Sequence, residues 1–165
     1  MFKSLLRKIG RKIIALVLIQ ISLRIRGQWD IYTREQVWNA LDTKYPGLGS
    51  QENFKRLYCA GLYRCCSVRL FERILRWDWT SSREWHRYWL NCTWFAPALM
   101  GRIQTIFGLN NVGMVYDEGS AHAYNVVVLV GVDGYPDIRL LEPQNDRWIE
   151  PGVQPYTMQR GVIIL

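Results

Sequence analysis

The stretch Ala121-His122-Ala123-Tyr124-Asn125, the apolar run 126–132 that follows it, and the returning segment Leu140-Leu141-Glu142-Pro143-Gln144-Asn145-Asp146 decide how this chain is read. Val and Leu fill the run, Asp133-Gly134 breaks it, and Ile138-Arg139-Leu140-Leu141 resumes it, which is the pattern of a β-hairpin. A turn about Val132 to Gly134 pairs the strands antiparallel and sets Glu142 opposite some residue between His122 and Val126. One imidazole and one carboxylate then meet at the open end of the same pair of strands. A histidine oriented by an acid wants a nucleophile, and Cys92 lies thirty residues upstream where a helix is expected to begin.

Cys, then His, then an acid or amide is the order of papain-like cysteine peptidases. The words Asn91-Cys92-Thr93-Trp94-Phe95-Ala96, Leu99-Met100-Gly101, His122-Ala123-Tyr124-Asn125 and Leu141-Glu142-Pro143-Gln144 carry the closer likeness. They resemble a phage and bacterial family related to the C-terminal domain of Marasmius oreades agglutinin, a papain-like cysteine protease with a Cys-His-Glu triad. The resemblance is most specific over 91–148 and fades outside it. It implies an α+β papain-like fold, with a helical part carrying Cys92, an antiparallel sheet carrying His122 and Glu142, and a cleft between them. The activity implied is hydrolysis of a peptide or other amide bond through a thioester.

In that reading Cys92 is the nucleophile, since thiolate is the reactive form and a neighbouring imidazolium favours it. His122 takes the thiol proton and returns it to the leaving amine. Glu142 holds the imidazole in one tautomer, with Gln144 and Asn125 as second candidates for that orienting role. An oxyanion hole is also needed. Papain-like enzymes often take its side-chain donor from a Gln shortly before the Cys, and no Gln lies in that window here. His86 or Asn91 would have to serve. No cofactor is required for this chemistry. Calcium enters by resemblance only, because the agglutinin depends on it, and the acidic cluster expected of calcium ligands is thin in this sequence.

Structural explanations stand beside each assignment. A lone Cys at the start of an apolar helix is usually a small core residue. A His opening a strand is more often structural than catalytic, and Glu142-Pro143 reads equally as a strand end with a solvated acid.

The chain has 165 residues, enough for one domain with its own core, and its 49% apolar content excludes disorder. The net charge of +7 is local: residues 1–26 hold seven of the 21 basic residues and no acid, so the remainder is neutral. A division into a basic, apolar segment 1–26 and a domain 27–165 follows. Leu5, Leu6, Ile9, Ile13, Leu16 and Val17 recur at helical spacing in that segment. This suits an amphipathic helix on an anionic membrane, a helix on a partner or on its own domain, or an assembly contact. The apolar run 13–23 is short for a membrane span and is followed by no small-residue cleavage site. Alternation from Ile19 to Arg26 also suits a strand.

Four cysteines, Cys59, Cys65, Cys66 and Cys92, lack CxxC spacing, and neighbours such as Cys65 and Cys66 do not readily pair. Reduced thiols in an intracellular setting are expected. With the phage-like resemblance, that means host cytoplasm or a virion, at the membrane periphery if 1–26 lies on lipid. A zinc site built on His86 or His122 lacks finger-like spacing.

Taken in order, Thr33-Arg34-Glu35-Gln36 predicts a capping box and a helix ending before Tyr45-Pro46-Gly47. Ser50 predicts a second helix carrying Phe54, Leu57 and Tyr58, and Ser67 a third carrying Val68, Phe71, Ile74 and Leu75. Ser81-Ser82-Arg83-Glu84 predicts a further cap, with Trp85, Trp89 and Cys92 at helical spacing. The interleaving of Trp77, Trp79, Trp85, Tyr88 and Trp89 with Arg76, Arg83 and Arg87 fits core or partner-facing aromatics, or stacking on single-stranded bases. Asn91 caps a helix with Phe95, Leu99, Ile103 and Ile106 inward and Gly108 at its end, and Pro97 predicts a kink or a later start. The segment 162–165 reads as a final buried strand.

The reading that follows is a papain-like cysteine hydrolase acting on a peptide or protein substrate. The alternatives are a catalytically idle papain-like phage structural or host-interaction protein and, more weakly because the domain is neutral, a nucleic-acid binder.

Overall fold

The computed structural model describes residues 29–49 and 53–165; the segment 1–26, and with it every reading of an anchor or amphipathic helix, lies outside the described residues. The elements run β1 (Trp29–Thr33), α1 (Arg34–Lys44), a one-turn α2 (Pro46–Gly49), β2 (Phe54–Leu57), β3 (Leu62–Cys66), α3 (Val68–Leu75), α4 (Cys92–Arg102), a π-helical turn (Ile103–Phe107), β4 (Val112–Asp117), β5 (His122–Val130), β6 (Pro136–Glu142), β7 (Arg147–Trp148) and β8 (Gly161–Ile164). Six strands form one sheet in the order β2-β8-β4-β5-β6-β7, and β1 pairs with β3 in a second. The β2–β8 pair is parallel and the others are antiparallel, so the main sheet is mixed.

The central hairpin forms as its pattern dictates. Val130 pairs with Pro136 and Asn125 with Leu141, which brings Glu142 to the level of Tyr124. All residues from Ala123 to Leu129 are buried because both faces of β5 are covered. Val126 and Val128 join Ile138, Leu140 and the α1 residues Val37, Trp38 and Leu41 on one face. Val127 and Leu129 join Leu141, Phe71 and Ile74 of α3 and Leu99 of α4 on the other. Each large side chain buried in these layers contributes roughly 1.5–3 kcal/mol.

This arrangement corrects the papain-like α+β expectation of a helical part facing an antiparallel sheet across a cleft. The fold is organised by a mixed six-stranded sheet and a two-stranded sheet, with a few helices laid on their faces. The physical reason is the double burial of β5, which demands cover on both sides. Two expected helices are also absent. Phe54–Leu57 is strand β2, edge-paired in parallel with β8, and it buries Phe54 while Leu57 stays exposed. The segment 76–91 is a series of turns with one isolated bridge between His86 and Leu90, so Trp85, Trp89 and Cys92 share no helix face.

Other local expectations hold. Thr33 accepts from the Gln36 amide while the Gln36 side chain accepts from the Thr33 amide. Ser67 caps α3, and Gly108 ends the π-helical turn in the left-handed region at φ 67°. Pro97 sits inside α4 without displacing its start at Cys92.

Candidate functional site

The open end of the β5–β6 hairpin gathers the polar groups. His122 Nε2 lies 2.7 Å from Glu142 Oε2, and the carboxylate is buried at 5% exposure. Tyr156, from the segment between β7 and β8, donates its hydroxyl to the same oxygen at 2.9 Å, and the Gln144 amide donates to Oε1 at 3.2 Å. Three donors on one carboxylate hold it in a single rotamer, and burial together with Glu142 raises the Tyr156 phenol above its ordinary value of 10.0. With Nε2 engaged, Nδ1 is the ring nitrogen left to exchange a proton. The group is thus an oriented imidazole backed by a carboxylate held at both oxygens.

Cys92 opens α4, where Asn91 Oδ1 accepts from the Thr93 amide at 3.1 Å and the Thr93 hydroxyl at 2.6 Å. Its thiol is partly exposed, and among the described residues no hydrogen bond links it to His122. The helix is tied to the sheet by Asn125, whose Nδ2 donates to Ala96 O at 2.9 Å and to Gly113 O at 2.8 Å. Asn125 therefore braces α4 against β4 and β5 and does not orient His122. Asn91 is spent on capping and on Arg87 O, and His86 stacks on Trp89 at 4.2 Å. Gln144 acts on Glu142 through its backbone amide.

Sequence reasoning missed Tyr156 and Asp117. Asp117, fully buried at the end of β4, accepts from Gly119 N, Met158 N and the Thr157 hydroxyl. Those donors occupy the oxygens a cation would take, so Asp117 does not fit calcium. Among the described residues no group of three or more His, Cys, Asp or Glu is placed to hold a metal. The same residues include no helix long and apolar enough to cross a membrane.

Beside this cluster lies a groove of about 310 Å³ lined by Glu142, Asn145, Arg147, Trp148, Gln154 and Tyr156. A second groove, of about 530 Å³, shares Trp148 and Glu150 with it and reaches Lys44 and Arg139. The 77–90 loop is fastened to the rim of the first groove by Ser81 Oγ on Asp146 at 2.6 Å, and to α4 by Asp78 with Arg102. That loop exposes Trp77, Trp79, Trp85, Tyr88 and Trp89. Trp79 is enclosed by the Arg83 and Arg102 guanidiniums, at 4.4 Å and 4.0 Å from its centroid. Trp89, backed on one face by His86 with the rings within 8° of parallel, is 68% exposed.

No family model and no curated protein matches the chain. Solved structures do. One, described as a PSL1a–E64 complex, matches at a TM-score of 0.62 and 20% identity, over 82% of this chain and 51% of that one. Another, Polyporus squamosus lectin bound to the human-type influenza-binding epitope Neu5Acα2-6Galβ1-4GlcNAc, matches at 0.61 and 19% identity, over 82% and 49%. The chain thus spans about half the length of these lectin chains, and at such identity the likeness is one of fold. It corrects the resemblance to the agglutinin-related protease family, because the shared fold is that of lectin chains. The hydrolase, idle papain-like and nucleic-acid readings, and with them the peptide substrate, give way on the same finding.

Proposed function

We propose that the chain binds glycans, on a surface running from the aromatic 77–90 loop to the groove beside Glu142. The observation that carries this reading is Trp89, a largely exposed indole stiffened by His86 behind it, on a loop fastened to a groove of amide, carboxylate and guanidinium groups. A pyranose has an apolar C–H face and a rim of hydroxyls, so it needs a flat ring for the one and bidentate polar groups for the other. The fold likeness to lectin chains supports the same chemistry, and the trisaccharide held by one of them is the first ligand to try.

The test is titration of a glycan panel that includes Neu5Acα2-6Galβ1-4GlcNAc, followed by tryptophan fluorescence and calorimetry. Binding is expected, and Trp89→Ala weakens it about tenfold, the share of one stacking contact. A flat response across the panel at millimolar sugar, or a Trp89→Ala variant that binds as wild type does, sinks the reading.

The assignment of Cys92, His122 and Glu142 as chemically active residues is a separate proposal that names no substrate. The observation favouring it is the 2.7 Å His122–Glu142 contact. Burial raises the Cys65 thiol and pushes Cys66 up to about 12, so alkylation near neutral pH is left to Cys59 and Cys92. Cys92 outpacing Cys59 near pH 6, with the advantage lost in His122→Ala, supports an active thiol; equal rates reject it.

A further inference from the structure

The segment after β7 returns over the end of the sheet and is held there by two buried acids. Asp117 takes its Thr157 hydroxyl at 3.1 Å and its Met158 amide at 2.8 Å, while Glu142 takes the Tyr156 hydroxyl at 2.9 Å. Asp117 is the register partner of His122 across β4–β5, and Glu142 is its hydrogen-bond partner from β6. The Tyr156 ring lies 5.6 Å from the His122 ring and meets Tyr124 edge-on at 5.4 Å and 90°. Tyr124 in turn lies 6.2 Å from His122, and its buried hydroxyl has no partner among the described residues. Among the described residues, the titratable groups facing His122 are Glu142 from β6, Asp117 from β4, Tyr156 from the returning segment and Tyr124 from its own strand.

We infer that Tyr156 is a positioning residue for His122, acting through Glu142. Two donors share Oε2, and each weakens what that oxygen offers the other. The phenol, which keeps its proton because it is half-buried beside a carboxylate, locks the carboxylate in place and withdraws part of its negative charge. His122 is thereby held as the Nε2–H tautomer against a carboxylate that Tyr156 fixes in place. The Asp117 clamp on Thr157 and Met158 supplies the rigidity, since the residues bonded to it follow Tyr156 directly in the chain. The inference rests on the proposed site only in taking His122 and Glu142 to belong to it.

The test is NMR titration of the histidine rings, made without any glycan. The chain has two histidines, and His86, on the 77–90 loop, is the internal reference. Tyr156→Phe raises the His122 pKa by about half a unit or more, because the carboxylate then faces the imidazolium undivided. Tyr124→Phe, which removes a hydroxyl without a partner among the described residues, leaves the His122 titration in place, and the His86 titration is unmoved in both variants. A Tyr156→Phe curve that overlays wild type, or moves down, overturns the inference. If that variant loses its near-UV circular dichroism, 3-fluorotyrosine at position 156 replaces it. Its more acidic hydroxyl strengthens the bond and lowers the His122 pKa, and an unchanged pKa overturns the inference equally. Glycan titration of the same samples is read separately, so failure of either result leaves the other standing.

Discussion

His122 and Glu142 meet because two strands of period two are joined by a turn whose place is marked by Asp133-Gly134. Asn125 illustrates the opposite case. Its position on β5 is plain from the pattern, yet only the packing of α4 across the sheet gives its amide two carbonyls to serve. Asn125→Ala leaves both carbonyls short of a buried donor and is expected to cost about 2–3 kcal/mol, read from urea unfolding. Gly161 is another residue whose meaning is tertiary: a Cβ there stands 1.9 Å from the Tyr116 carbonyl oxygen, a backbone atom that cannot swing away. Gly161→Ala should destabilise by about 3 kcal/mol, with a lower urea midpoint and an unchanged slope.

Among the elements, α1 and α3 were legible from their caps, and α4 from its apolar spacing, whereas β2 and the aromatic loop were not. Caps are local chemistry, written in three or four adjacent residues, so they survive any tertiary context. The Ser81 and Glu84 signal is equally good as a word, but Ser81 instead bonds Asp146 and Arg102 draws Asp78 and Trp79 toward α4. Long-range contacts outbid the local preference. Asn91→Ala removes the α4 cap and should cost about 1 kcal/mol.

The contact between α1 and β6 has a pH signature. Burial would raise Asp137, but Lys44 from the end of α1 and Arg139 together hold it below its ordinary 3.8. A depressed acid contributes stability above that ordinary value, and the contribution is lost as pH falls through the lower folded value. Asp137→Asn should therefore lose less stability than wild type when unfolding at pH 7 is compared with unfolding near pH 2.5. An equal loss would remove Asp137 from the acid response.

For the whole molecule, the last strand is the keystone. β8 lies between β2 and β4, parallel to one and antiparallel to the other, and Leu165 beyond it is buried with its amide on Leu57 O. Deleting residues 161–165 bares the edge of β4 and the Phe54 ring, and is expected to abolish cooperative unfolding and to yield aggregates by light scattering. A soluble truncation with a sharp transition would contradict that role.

By itself the sequence determined the hairpin, the place of its turn, the caps, and the meeting of an imidazole with a carboxylate at one strand end, since period, turn chemistry and capping are interactions between near neighbours. The exact register came from the structure. The tertiary structure alone decided that helices cover both sheet faces, that β8 inserts between strands distant in sequence, that 77–91 is a loop presenting aromatic rings, and that Tyr156 completes the carboxylate. Those outcomes depend on which buried surfaces find one another across the chain, and no local period records that choice.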